Sequence, residues 1–109
     1  PGTLNLEKSP IVRACIEYCI KEDCYVAAIC AAPSILGHMG ILQGRQAICF
    51  PGFENELKGA QLSSEPVCVD GKIVTAKGAG VAVEFALKII EQLSGENLSK
   101  KLRAALQCQ

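Results

Sequence analysis

The stretch Tyr25-Val26-Ala27-Ala28-Ile29-Cys30-Ala31-Ala32-Pro33-Ser34-Ile35-Leu36-Gly37 limits the folds open to this chain more than any other. Tyr25 to Ile29 are apolar or aromatic without alternation, the pattern of a short strand covered on both faces. Ala31, Ala32 and Pro33 follow at once, small residues and a ring preset for the first turn of a helix. A cysteine between them would sit at the carboxyl edge of a sheet and at a helix start, where backbone N–H groups favour a thiolate. The spacing therefore predicts a nucleophile-elbow corner with sulfur in place of a serine hydroxyl.

Around this corner, 109 residues leave room for one domain at most. Half of the residues are hydrophobic and 20% are charged, so the chain has a packing composition and no disorder signature. Eleven basic residues balance eleven acidic ones, which leaves no field for nucleic acid or anionic lipid. No apolar run approaches the roughly 20 residues that span a bilayer. Seven cysteines form no C-x-x-C pair, and the single histidine, His38, offers little to a zinc site, so no metal is expected. Unpaired cysteines in such numbers suit a reducing cytoplasm. Cys15 and Cys19, four apart, are expected to fill core on one helix face with Ile11, Val12 and Ile16.

In order, Pro1 to Leu6 reads as a loop, with Pro1-Gly2 resembling a turn after a strand. Ser9-Pro10 starts a helix to about Lys21, with Ile11, Cys15, Tyr18 and Cys19 inward. After the elbow a helix from Pro33 ends near Gly37 to Gly40. Gln46 to Phe50 reads as a second short strand, and Glu54 to Gly59 as one helical turn. Asp70-Gly71 between Val67-Cys68-Val69 and Lys72-Ile73-Val74-Thr75 predicts a hairpin, with Cys68 facing away from Val67 and Val69. Val81 to Leu93 is an amphipathic helix stopped by Gly95, and a last helix, Glu96 to Leu106, carries Leu98, Leu102 and Leu106 at spacing four. Helices alternating with strands imply α/β layering with a mainly parallel sheet. That sheet is thin for so much helix, so more strands are expected upstream.

Ala27-Ala28-Ile29-Cys30-Ala31-Ala32-Pro33 resembles the A-A-I-C-A-(A/G)-P signature of the DJ-1/ThiJ/PfpI family, in its DJ-1-like bacterial branch. Cys49-Phe50-Pro51-Gly52-Phe53-Glu54 is similar to a bacterial loop variant of that family. Val69-Asp70-Gly71-Lys72-Ile73-Val74-Thr75 and Gly78-Ala79-Gly80 through Glu84-Phe85-Ala86-Leu87 resemble its D-G-x-(I/L)-(I/L)-T and G-P-G-T…F-A-L segments. The resemblance implies a flavodoxin-like (Rossmann-like) three-layer sandwich. Residues 1–109 would be the C-terminal portion of one such domain, with the N-terminal strands missing. It further implies Cys30 as nucleophile, the Ala31 backbone N–H as an oxyanion donor, and a pocket lined by Cys49, Phe50, Pro51 and Ala79. A glutamic acid beside the sulfur and an oxyanion-hole glycine would lie in the missing portion.

Three departures shape the expectation. Ala31 stands where PfpI-type peptidases have His, Phe50 where DJ-1 has His, and Ala79 where the family usually has Pro. No Cys–His pair can be assembled from these positions. His38, eight residues past Cys30, is about 12 Å of helical rise away, and reads as an exposed helix-end histidine. The resemblance implies a cofactor-free protein that acts on a small reactive carbonyl or a glycated substrate, of glyoxalase or deglycase type, in stress response. Alternatives are a non-enzymatic redox sensor or chaperone-like protein using oxidation of Cys30, a PfpI-type peptidase or amidase, or a protein carrying the ThiJ thiamine-biosynthesis label. The resemblance also implies a homodimer; the helix around Cys15–Cys19 and the last helix are candidates to contribute, and the sequence does not choose the pairing surface.

Overall fold

In a computed structural model, which describes residues 2–107, the chain opens with a helix where a loop was expected. Pro1 and Cys108 lie outside the described residues. Gly2–Lys8 forms α1, a run of mostly good helix formers with no breaker after Gly2. It stops because Ser9 precedes Pro10, which disfavours the helical region for Ser9; its φ of −79° and ψ of 116° are extended. The Ser9 hydroxyl accepts the Val12 N–H at 3.3 Å, and Pro10–Lys21 continues as α2, as the cap residues predict.

The face that α2 buries is a correction. Ile11 is 76% exposed, Tyr18 is 62% exposed and Cys15 is also exposed. Val12 and Ile16 turn inward instead, lining a small cavity with Val26, Ala28, Ile35 and Leu36. Both stripes, Ile11/Cys15/Tyr18 and Val12/Ile16/Cys19, have helical spacing. The second wins because it is the one that lies over β1, Val26–Ile29, and the elbow helix α3, Pro33–His38.

The larger sheet has the order β1-β5-β4, where β4 is Val67–Asp70 and β5 is Ile73–Ala76. β1 runs parallel to β5, with Ala28 opposite Thr75, and β4 pairs antiparallel to β5 through the expected hairpin. Asp70 pairs with Ile73, so Gly71 and Lys72 form the two-residue loop, and Gly71 supplies a φ of 58° there. A second, two-stranded parallel sheet joins β2, Gln46–Ala47, to β3, Gln61–Leu62. β3 was not expected, since Gln61-Leu62 carries no period, and β2 is shorter than the run Gln46–Phe50. The reason is hydrogen bonding: the Ile48 N–H donates to Thr75 Oγ1 at 3.0 Å and the Phe50 N–H to the Cys30 carbonyl at 2.7 Å. These donors leave the ladder for the neighbouring sheet.

Ile73 packs with Leu36, Leu42, Ala47, Cys49 and Leu57 on one face of the sheet. Helix α4, Ala82–Ser94, packs across β1, β4 and β5, and the Tyr25 hydroxyl donates to its Gln92 Oε1 at 3.4 Å. Gly95, φ 96°, ends α4 as expected, and α5, Glu96–Ala105, folds back on it. The leucine stripe of α5 is not what seats it: Leu98 is 42% and Leu106 61% exposed. Buried Ser99 donates its hydroxyl to the Leu87 carbonyl at 3.1 Å, and Arg103 grips both oxygens of Glu84 at 2.5 and 2.6 Å. That bidentate pair holds the Glu84 carboxyl below its ordinary pKa. No described helix is long and apolar enough to cross a membrane.

Candidate active site

The corner at Cys30 is strained and tightly held. Cys30 leaves β1 with a φ of 66°, in the left-handed region that costs a non-glycine residue about 1–3 kcal/mol. Its N–H donates to the Ala76 carbonyl at 3.0 Å, and its carbonyl accepts the Phe50 N–H at 2.7 Å. The Ala32 N–H closes the turn onto the Ile29 carbonyl at 3.2 Å. Ser34 then donates both its N–H, at 3.1 Å, and its hydroxyl, at 2.7 Å, to the Ala31 carbonyl. Backbone from β5, from the β2 loop and from α3 therefore fixes the residue on three sides, while its side chain stays partly accessible. Among the described residues nothing accepts the Ala31 N–H.

Two hollows flank the elbow region. Phe50, Pro51 and Ala79 share a cavity of about 350 Å³, which continues over Lys77, Gly78 and Val81. Ala31 opens onto a second, of about 490 Å³, whose walls come from α1, α3 and the loop carrying Phe53 and Glu56. Cys49 stands apart from both. It is 1% exposed, belongs to the core with Leu36 and Leu57, and borders a separate cleft with Pro51 and Glu54. Burial first, then the Glu54 charge and the nearby Cys30 thiol, push its thiol up to about 11. Cys68 is raised too, by burial first.

This separates the thiols chemically. Alkylation of the native protein with iodoacetamide at pH 8 should modify Cys15, Cys24 and Cys30 and leave Cys49 and Cys68 intact, as read by peptide mass spectrometry. Cys49 labelling as fast as Cys30 would contradict the burial seen here.

His38 is the exposed helix-end histidine expected, but its two partners were not foreseen. Its Nδ1 meets Glu7 Oε2 of α1 at 2.5 Å, and its Nε2 meets Glu56 Oε1 at 2.8 Å. The hydrogen bond to Glu7, then that to Glu56, raises its pKa against a small opposing effect of burial. No local signal marks this cluster, because Glu7 lies 31 residues away in sequence and on a segment expected to be a loop. Among the described residues no group of three or more His, Cys, Asp or Glu side chains has the geometry to hold a metal ion.

A strained cysteine between a parallel strand and a short helix narrows the possible relatives, and comparison decides among them. The family model described as "DJ-1/PfpI family" matches residues 1–92. The chain belongs to the DJ-1/PfpI family. It is 32% identical over 108 residues to the Parkinson disease protein 7 homolog of Danio rerio, covering 96% of this chain and 57% of that protein. It is 30% identical over 103 residues to the glutathione-independent glyoxalase DJR-1.2 of Caenorhabditis elegans, covering 94% of this chain and 55% of the relative. The crystal structure of Drosophila melanogaster DJ-1beta superposes with a TM-score of 0.90 at 29% identity, over 99% of this chain and 59% of that one. The chain thus has the flavodoxin-like DJ-1/PfpI architecture and spans little more than half the length of these relatives.

Proposed function

We propose that Cys30 is the nucleophile of a DJ-1-type protein that acts on small reactive carbonyls. The observation that carries this reading is the φ of 66° at Cys30, a strained non-glycine corner whose backbone is pinned on three sides and whose side chain is left accessible. Strain of this kind persists only where the surroundings impose it, and it favours functional positions. The Ala31 N–H next in the chain has no acceptor among the described residues, which supports it as the oxyanion donor. The match to a nematode glyoxalase supports the choice of carbonyl chemistry.

With an α-oxoaldehyde such as methylglyoxal, the thiolate adds to the aldehyde carbon and the resulting alkoxide of the hemithioacetal is held by the Ala31 N–H. A base then moves the aldehyde-derived proton to the neighbouring carbon, giving a lactoyl thioester. Water hydrolyses the thioester to lactate and returns the thiolate. No described carboxylate hydrogen-bonds Cys30, so the base is proposed to be the family's glutamic acid, which matches no position in these residues. His38 does not take this role here, since both of its ring nitrogens are committed to carboxylates. Ala31 in place of a histidine argues equally against a Cys–His peptidase.

The test is lactate formation from methylglyoxal by the protein in its full natural length. Cys30→Ser should lower turnover by at least about a hundredfold, as loss of a covalent nucleophile does. Turnover by Cys30→Ser equal to that of the parent sinks the proposal.

A further inference from the structure

His38 is the only histidine in the chain, and it ties α1 to α3 and to the Glu54–Glu56 turn, two segments that already pack closely at Gly37. Its ring lies between Glu7 of α1 and Glu56 of the helical turn Glu54–Glu56, at 2.5 and 2.8 Å. A neutral imidazole has one N–H, so with two carboxylates as partners its bare nitrogen would face a carboxylate oxygen across hydrogen-bond distance. Only the imidazolium donates to both. The geometry itself therefore specifies the charged ring.

These three side chains sit on the wall of the 490 Å³ cavity that reaches Ala31, next to Cys30. The rest of that wall, Gly2, Thr3, Leu4, Ala31, Ser34 and Phe53, is uncharged. α3 carries no other ionisable group, so the charged groups meeting His38 are Glu7 from α1 and Glu56 from the turn. α1 buries none of its own residues, so few packing contacts compete with this tie in holding it. We propose that protonated His38 acts as a clasp that holds α1 and the Glu54–Glu56 turn around the cavity beside the elbow, and that the clasp opens as pH rises.

The sign follows from linkage. His38 has its pKa raised in the folded protein, through Glu7 first and Glu56 second. Its contribution is then fully present below the ordinary histidine value of about 6.5 and is lost as pH climbs through the higher folded value. Above that, one carboxylate loses its donor and the two acids face each other across a neutral ring. The side chains of His38, Glu7 and Glu56 are 34%, 26% and 44% exposed, so the effect is local and screened.

The experiment combines an NMR pH titration of the His38 ring with amide hydrogen exchange, corrected for intrinsic rates. The ring should titrate above an ordinary histidine, and Glu7→Gln and Glu56→Gln should each lower its midpoint. Protection of residues 2–8 should fall by about two- to fivefold across that titration, the range for partly exposed charge pairs, while β5 stays unchanged. In His38→Gln the step should vanish. A midpoint at or below that of free histidine, or an equal step in His38→Gln, overturns the clasp. Neither readout involves Cys30 chemistry, so either result leaves the carbonyl proposal to its own test.

Discussion

Gly37→Ala is expected to lower the melting temperature by roughly 5–15 °C, although alanine is the better helix former. Gly37 lies inside α3, and a Cβ there would overlap the Glu56 carbonyl oxygen and approach Leu57 Cα to 2.8 Å and the Glu56 carbonyl carbon to 3.0 Å. These are backbone atoms, which cannot rotate away as a flexible side chain could. The substitution gains about 1 kcal/mol of helix propensity. Against that, the segment Glu56–Leu57 must move, withdrawing Leu57, 4% exposed, from the core and Glu56 from His38. Overpacking of this kind typically costs about 1–3 kcal/mol and sometimes more, and a clash with rigid backbone belongs at the upper end. At about 4–8 °C per kcal/mol for a domain near this size, the net loss is readily measured by thermal melts. A melting temperature equal to or above that of the parent would show that the Glu56 segment moves freely, contrary to the packing described.

Thr75→Val should cost about 1–3 kcal/mol, while Thr75→Ser should cost nearer 1 kcal/mol. Thr75 is fully buried in β5, and its hydroxyl oxygen accepts the Ile48 N–H at 3.0 Å. Valine has almost the same shape, so its effect reports the orphaned Ile48 N–H; serine keeps the hydroxyl and loses one methyl. The consequence extends to the elbow. Two residues after Ile48, the Phe50 N–H holds the Cys30 carbonyl at 2.7 Å, so a loosened β2 loop loosens one of the three pins on Cys30. Urea unfolding gives the energies, and exchange of the Ile48 amide gives the mechanism. The amide should exchange faster in Thr75→Val and not in Thr75→Ser. A Thr75→Val loss below about 0.5 kcal/mol, within ordinary surface-substitution effects, would mean that the bond contributes nothing net.

The elements legible in the sequence are those whose cause is local. Pro10 with Ser9, the unbroken apolar run into Cys30, Pro33 at a helix start, the Asp70-Gly71 hairpin and the Gly95 stop each carry their own backbone preference, and each stands where expected. What was misread has a remote cause. α2 offers two apolar stripes of equal period, and nothing within Pro10–Lys21 says which will lie over β1. α3 ends within the expected Gly37 to Gly40, with Gly40 at a φ of 76°, but the close approach that bars a side chain at Gly37 comes from the remote backbone of Glu56. β3 exists because Gln61 and Leu62 pair with Gln46 and Ala47, with no pattern of their own.

The same division runs through the candidate site. By itself the sequence determined that a cysteine would stand where a short apolar strand turns into a helix, but the cover expected on both faces of that strand is not met: β1 is the edge of its sheet, half-buried, with Ala27 exposed. The sequence also showed that neither Ala31 nor Phe50 supplies the histidine that relatives carry there. Only the tertiary structure decided that Cys30 is held in the left-handed region by Ala76 and Phe50, that Cys49 is a core thiol, and that His38 is clamped between Glu7 and Glu56. The hydrogen bonds among those facts join residues 18 to 46 positions apart, and such contacts exist only once the chain has closed on itself.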